Sequence, residues 1–214
     1  MKHTIIFDLD GTLLNTIDDL AAAVNHVMAA HGFPVHTVDH VRELVGNGIS
    51  LLVERAIPGG KDNPLFSQCL LEFREYYQIH MQDFTAPFDG IRELLLSLRQ
   101  RGCHIGVVSN KFDAAVKNLC RDYFGDLIEV AIGETATVAR KPAPDTVLTA
   151  IAELGVKKED CLYVGDSDVD IETARNSDIP CISVSWGFRS RDFLLAHGAG
   201  VIIDRPMQLL DCLS

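Results

Sequence analysis

The chain lacks any stretch of about eighteen uninterrupted apolar residues, so no segment of it reads as a membrane-spanning helix. It also lacks a basic tract. Lysine and arginine number 19 against 30 aspartates and glutamates, for a formal charge of −11. That balance argues against a duplex-binding surface, which needs clustered cations. The six cysteines (Cys69, Cys103, Cys120, Cys161, Cys181 and Cys212) include no Cys-x-x-Cys pair, and the first residues turn acidic at Asp8 without the apolar core of a secretory signal. Buried thiols in a reducing compartment follow as the simple reading. The expectation is a cytoplasmic protein, monomer or homodimer, with no membrane and no nucleic-acid partner. Internal repeats and low-complexity segments are missing too. What the chain does have is core: 47% of its 214 residues are hydrophobic and 23% charged. A chain of this length buries roughly 70% of its unfolded surface and needs no disulfide or metal staple.

Thr4–Asp8 is a short apolar run ending in acid, and the pattern returns at His104–Ser109, Leu127–Ile132, Cys161–Gly165, Cys181–Ser185 and Gly200–Ile203. Short continuous apolar runs suit strands buried on both faces of a parallel sheet. Helical patterns separate them. Ile91, Leu94, Leu95 and Leu98 have i, i+3, i+4, i+7 spacing, with Gly102 placed to end the helix, and residues 112–123, 144–154 and 168–177 read as further helices. Strand alternating with helix predicts an α/β domain with a doubly wound, mainly parallel, Rossmann-like sheet.

One interval breaks the rhythm. A crossover needs about a dozen residues, yet the whole segment from Asp10 to His104 separates the first two strands. Inside it Thr16-x-x-Asp19 reads as a capping box, followed by an apolar stripe of Ile17, Leu20, Ala21, Val24 and Met28 up to Gly32. Thr37–Val45 and Ile49–Ile57 read as two short helices joined by Gly46-Asn47-Gly48. Asn63-Pro64 is expected to open a long helix reaching about Phe84. Residues 16–86 are therefore expected to form a four-helix insertion into an α/β domain made of 1–15 and 87–214.

Four short motifs could carry chemistry. Asp8-Leu9-Asp10-Gly11-Thr12 follows the first strand, at the carboxyl edge where doubly wound sheets bind ligands. Ser109-Asn110-Lys111 ends the second, where a hydroxyl and main-chain N–H groups can hold a phosphate oxygen. Lys141, in Arg140-Lys141-Pro142-Ala143-Pro144-Asp145, precedes a helix and can neutralise a phosphate near its N-terminus. Gly165-Asp166-Ser167-Asp168-Val169-Asp170 follows the fourth strand with clustered hard oxygen ligands suited to Mg²⁺. Each alone has an ordinary reading: a solvated loop, a turn, a surface charge, or a helix cap at Asp166 or Asp168.

Together, and in this order, they resemble the haloacid dehalogenase-type phosphohydrolases from residue 4 to about 205. The helical insertion is similar to that family's α-helical cap. The segments Leu44-Val45-Gly46-Asn47-Gly48, Glu54-Arg55-Ala56 and Trp186-Gly187 resemble phosphoglycolate phosphatases in particular, while Asn15-Thr16 departs from the Asp-Ser common in relatives. The resemblance implies that Asp8 is the nucleophile and forms an aspartyl-phosphate, with Asp10 as acid and then base. It places Mg²⁺ on Asp8, the Asp10 carbonyl and Asp166, with Asp170 and Thr12 behind them and Asp168 as a helix cap. Ser109, Asn110 and Lys141 are expected at the phosphate, with Lys111 outside it. Gly46, Asn47, Gly48 and Arg55 are expected to select the substrate, a small phosphorylated metabolite with 2-phosphoglycolate leading. Within the cap, Phe73, Tyr76 and Tyr77 read as core, and His36 and His40 as an exposed polar face.

Rival functions divide by chemistry. A nucleotide kinase would need Gly-x-x-x-x-Gly-Lys-[Ser/Thr], but Gly60-Lys61 is followed by Asp62, with Arg55 where the first glycine belongs. A phospho-aspartate receiver switch has no use for a helical insertion or for an acid at Asp10. A β-phosphoglucomutase-like mutase or a pyrophosphatase on the same fold stays open.

Overall fold

The computed structural model describes residues 3–213. Its strands are β1 (Thr4–Phe7), β2 (Leu14–Asn15), β3 (Ala86–Pro87), β4 (His104–Phe112), β5 (Val130–Glu134), β6 (Cys161–Gly165), β7 (Cys181–Val184) and β8 (Ile202–Ile203). Six of them form one sheet in the order β5-β4-β1-β6-β7-β8, every neighbouring pair parallel. β1 is buried at all its positions, as a central strand covered on both faces must be. From β1 the chain steps outward through β4 to β5, then returns to β6 on the other side and steps outward again. That reversal beside β1 is the switch point where such sheets open a crevice at their carboxyl edge.

The chain divides into two compact units, one of Met1–Leu14 with Pro87–Ser214 and one of Asn15–Ala86. The second consists of α1 (Ile17–Ala30), α2 (Val38–Leu44), α3 (Ile49–Ala56) and α4 (Phe66–His80). Its core gathers Leu20, Val24, Val27 and Met28 with Val41, Leu52, Val53, Phe73 and Tyr77, all buried. Tyr76 instead stacks between His26 and His80. His36 is a tie rather than part of a bare polar face: its Nε2 meets the Ala56 carbonyl at 2.8 Å, and the Asn25 amide brackets its main chain. The last helix of the unit also starts later than expected and ends at His80, short of Phe84. Asn63 and Pro64 precede α4 without entering it, because the Asn63 side chain accepts the Leu65 N–H and closes a turn first.

The expected capping box at Thr16 is not made, since Asp19 is drawn elsewhere. Asp19, 1% exposed, accepts the main-chain N–H of Phe84 (2.9 Å) and both the N–H (2.8 Å) and the hydroxyl (2.6 Å) of Thr85. One buried carboxylate thus joins the start of the helical unit to its end. Asp19→Ala is expected to cost about 3 kcal/mol or more, because it strands buried donors, and Asp19→Asn less, because one acceptor oxygen survives. Urea unfolding measures this, and a variant within 0.5 kcal/mol (about twofold in the folding constant) of wild type would contradict the tie.

In the α/β unit, α5 (Ile91–Gln100) and α6 (Asp113–Phe124) cover one face of the sheet. Ile5 and Phe7 of β1 pack there with Ile91, Leu94, Leu95, Leu98, Val116 and Leu119. α7 (Asp145–Leu154) and α8 (Asp168–Asn176) cover the other, where Ile6 meets Val147, Ala150, Ile151 and Ala174. The period of two along β1 thereby feeds two cores. A short α9 (Arg191–Ala196) follows β7. β5 starts later than the apolar run at Leu127 because Gly125–Leu127 forms a 3-10 turn. The six cysteines are free. Among the described residues no helix is long and apolar enough to cross a membrane.

Candidate active site

The first motif leaves the sheet in a tight turn. The Asp8 N–H still pairs with Val164 of β6 at 2.9 Å, and the Leu9 carbonyl then accepts from Thr12, Leu13 and Leu14. This sets Asp8, 6% exposed, at the carboxyl end of the central strand. Lys141 reaches it from the loop beyond β5, not from a strand end. Its Nζ lies 2.6 Å from Asp8 Oδ1, 2.7 Å from Asp170 Oδ1 and 3.1 Å from the Tyr163 hydroxyl. Tyr163 in turn donates to Asp170 Oδ1 at 2.8 Å. Burial opposes the Lys141 charge, but Asp170 and Asp8 outweigh it and hold the ammonium protonated above its usual range. Burial raises Asp8 well above a normal carboxylate; Lys141 pulls against that, and Asp170 and Asp166 add to it.

Asp170 is spent on this framework. Its Oδ2 accepts from the Asp166 N–H, the Ser167 N–H and the Ser167 hydroxyl, while its Oδ1 holds Lys141 and Tyr163. The cap of α8 is Ser167, in a reciprocal capping box with Asp170, and not Asp166 or Asp168. Asp166 is kept for the site. Its Oδ2 accepts the Phe188 N–H at 2.6 Å, and the Thr12 hydroxyl lies 3.4 Å from its Oδ1 and 3.5 Å from Asp8 Oδ2. Backbone packs so closely here that a Cβ on Gly187 would fall 2.3 Å from the Asp166 Cβ and 2.4 Å from the Gly11 carbonyl. Beside it the Trp186 indole donates to the Thr12 carbonyl at 3.0 Å. Trp186-Gly187 therefore clamps the Asp8–Thr12 turn to Asp166.

Carboxylate oxygens of Asp8, Asp166 and Asp170 lie within 4.8 Å of one another, all buried. One ammonium, Lys141, faces these three carboxylates. Burial first and Asp170 second push Asp166 up to about 7, against opposing pulls from the Phe188 N–H, Lys141 and Arg189. A hard divalent cation fits that excess of charge and that all-oxygen donor set. Asp170 is filled by the donors on both its oxygens. Asp8 Oδ2 and Asp166 Oδ1 share one long contact with the Thr12 hydroxyl, so Asp8 and Asp166 are the carboxylates able to take the cation.

Asp10 stands apart from that group. Its Oδ1 meets Lys111 Nζ at 2.8 Å, and its Oδ2 is 3.3 Å from the Ser109 hydroxyl, which also accepts the Lys111 N–H at 3.1 Å. Lys111, expected outside the site, is 6% exposed and pairs with the acid-base candidate. The cause is local. The β4–β5 register shifts between Val108 and Phe112, a bulge that carries β4 past Ser109 and re-aims these side chains. Asn110, expected at the phosphate, has its side chain engaged with Lys141. Its amide donates to the Lys141 carbonyl (3.0 Å) and accepts the Lys141 N–H (2.7 Å), so its side chain positions Lys141 and is not left for phosphate.

The helical unit holds the remaining candidates. Gly46, Asn47 and Gly48 have φ of 127°, 61° and 87°, successive positive values that glycine and asparagine tolerate. Arg55, expected to help select the substrate, donates to the Leu44 (2.8 Å) and Gly46 (3.4 Å) carbonyls. It braces the loop. Lys111, Tyr163 and the Trp186-Gly187 clamp are the site members that residue patterns did not single out for these roles, and for Tyr163 no local sequence signal exists.

Known proteins resemble this chain in sequence and fold. The sequence pattern of the haloacid dehalogenase-like hydrolases matches residues 5–184. The N-acetylmuramic acid 6-phosphate phosphatase of Pseudomonas aeruginosa is 34% identical across 98% of this chain and 94% of its own length. The phosphoglycolate phosphatase of Pseudomonas putida is 31% identical across 98% and 79%. A crystal structure from Lactobacillus delbrueckii subsp. bulgaricus superposes with a TM-score of 0.95, at 38% identity over 100% of this chain and 99% of that one. With the Asp8–Lys141–Asp170 framework at the switch point of a parallel sheet, the chain belongs to the haloacid dehalogenase-like hydrolases, as one of their phosphoglycolate phosphatase-like phosphatases.

Proposed function

We propose that this phosphatase cleaves small phosphomonoesters through an aspartyl-phosphate on Asp8, with Mg²⁺ as cofactor and 2-phosphoglycolate as the leading substrate. The observation that carries the reading is the buried contact of Asp8 Oδ1 with Lys141 Nζ at 2.6 Å, at the end of the central strand. A carboxylate meets a phosphate dianion against repulsion, so catalysis rests on positioning and on positive charge. Lys141 supplies charge beside the attacking oxygen. Asp8 and Asp166, with the Asp10 carbonyl, would hold the Mg²⁺, which when bound offsets the remaining negative charge of Asp8 and phosphate.

In the first half-reaction an Asp8 oxygen bonds to phosphorus as the ester P–O bond breaks, and Asp10 gives its proton to the departing oxygen. In the second, Asp10 takes a proton from water, the water oxygen bonds to phosphorus, and the bond to Asp8 breaks. Phosphate leaves and both carboxyl groups return to their starting states. Ser109 holds Asp10 and reaches phosphate from the same edge. Within the helical unit, Arg55 braces the Gly46–Gly48 loop. Both relatives named above act, by name, on phosphate esters of hydroxy acids, which supports an acidic leaving group here. The test is kcat/KM with Mg²⁺ across phosphoglycolate, N-acetylmuramic acid 6-phosphate, hexose phosphates and pyrophosphate. The carboxylated esters are expected to lead; a hexose phosphate or pyrophosphate ahead by about tenfold (1.4 kcal/mol) would overturn the substrate and leave the core chemistry standing.

The position of Asp166 near 7 gives a pH prediction. Its folded value lies above the unfolded one, about 3.9. The stability it contributes is therefore full below the unfolded value and is lost as pH rises through about 7. Mg²⁺ must displace that proton below 7 and need not above it. The rise in Tm on adding Mg²⁺ to chelator-treated protein is expected to be larger at about pH 8 than at about pH 6. An equal or smaller shift at the higher pH would contradict the assignment of Asp166 to the metal.

A further inference from the structure

Lys111 is a buried cation that the mechanism above does not consume. Lys141 is committed to the nucleophile, with Asp8 and Asp170 on its ammonium. Lys111 lies on the other functional group: its side chain is 4% exposed, and its Nζ meets the Asp10 carboxylate at 2.8 Å, where Asp10 is itself 18% exposed. The two buried ammoniums thus divide the site, one at the attacking oxygen and one at the proton donor to the departing oxygen.

Distance then decides what Lys111 faces. A carboxyl that protonates an ester oxygen lies about 3 Å from it. The departing oxygen is thus within about 6 Å of Lys111 Nζ where Asp10 Oδ1 carries the proton and within about 8 Å where Oδ2 does, and a substituent on the adjoining carbon can come closer still. Opposite charges interact strongly at about 4–6 Å in a partly dry site. We propose that Lys111 selects the leaving group, favouring phosphomonoesters with a carboxylate one or two bonds from the ester carbon over neutral esters of the same size. The assignment rests on the phosphomonoesterase reading above. It places that selectivity in the α/β unit, on Lys111, while the Arg55 guanidinium is tied to the Leu44 and Gly46 carbonyls.

The experiment compares 2-phosphoglycolate with its neutral analogue, the monophosphate of ethylene glycol, by kcat/KM. Wild type is expected to prefer the carboxylated ester by about a hundredfold. Lys111→Met, which keeps the length and loses the charge, should shrink that preference by about tenfold or more (1.4 kcal/mol), and Lys111→Arg should restore most of it. Loss of the Asp10 contact lowers both substrates alike, so the ratio isolates the charge. An unchanged ratio in Lys111→Met, with both substrates falling together, would show that Lys111 serves Asp10 alone and would overturn the proposal. Wild type with no preference would overturn it even if the variants fail to fold, while hydrolysis of both esters would leave the phosphatase reading intact. Wild type with no phosphomonoesterase activity at all would sink both.

Discussion

Asp8→Asn is expected to lower turnover at least a thousandfold while the protein stays folded. The neutral amide oxygen is a far weaker nucleophile than a carboxylate, and its adduct with phosphorus would carry positive charge, so the covalent step has no substitute. Asparagine keeps the volume of aspartate and one oxygen to accept from Lys141 Nζ, now 2.6 Å from Asp8 Oδ1. Stability should hold or rise. Burial and the carboxylates of Asp170 and Asp166 already disfavour a charged Asp8, and the substitution removes one of three crowded negative charges. The measurement pairs steady-state kcat with Tm above about pH 7. Activity above a thousandth of wild type would remove Asp8 from the role of nucleophile. A collapsed Tm would instead show that its contact with Lys141 is chiefly structural.

Lys141→Met is the second large effect, for a different physical reason. Lys141 is the ammonium that faces Asp8, Asp166 and Asp170. Removing one partner of a buried charge pair leaves the others uncompensated, which costs about 3–5 kcal/mol when no water can enter. Two of the carboxylates should respond by taking up protons, and a protonated Asp8 cannot attack. Turnover is therefore expected to fall by about a thousandfold or more, with Tm falling as well. Raising Mg²⁺ should recover part of the Tm and little of the rate, because the metal offsets charge without occupying the position of Nζ. Asn110→Ala, which frees the Lys141 main chain while leaving the ammonium, should give a smaller loss. Were Asn110→Ala as damaging as Lys141→Met, main-chain placement and not charge would be the controlling factor.

How far the sequence carried these conclusions depends on the range of the forces involved. β1 and β6 could be read from their apolar runs because a strand covered on both faces has few other compositions available. The α5 stripe of Ile91, Leu94, Leu95 and Leu98 was equally plain, since its period answers to a single buried face. What escaped was set by tertiary pairing. Thr16-x-x-Asp19 has the letters of a capping box, but the donors at Phe84 and Thr85 claim Asp19 from the far end of the unit. Asn110 carries the chemistry of a phosphate ligand and is used to bracket Lys141. Lys111 was expected outside the phosphate site, but the bulge in β4 turns it inward to Asp10. Tyr163 is one more apolar-looking strand residue by pattern, and only the fold places its hydroxyl between Lys141 and Asp170.

The central claim is covalent: phosphate passes through Asp8. Its most direct test is to mix Asp10→Asn with a phosphomonoester of good leaving group and Mg²⁺, quench in acid, and map the protein by mass spectrometry. In the proposed second half-reaction Asp10 activates the water that clears the intermediate, so the variant should accumulate one phosphoryl group on the peptide containing Asp8, and the double variant Asp8→Asn, Asp10→Asn should accumulate none. Phosphoryl transfer to another residue would contradict the account. So would continued hydrolysis without any labelled protein at any time point.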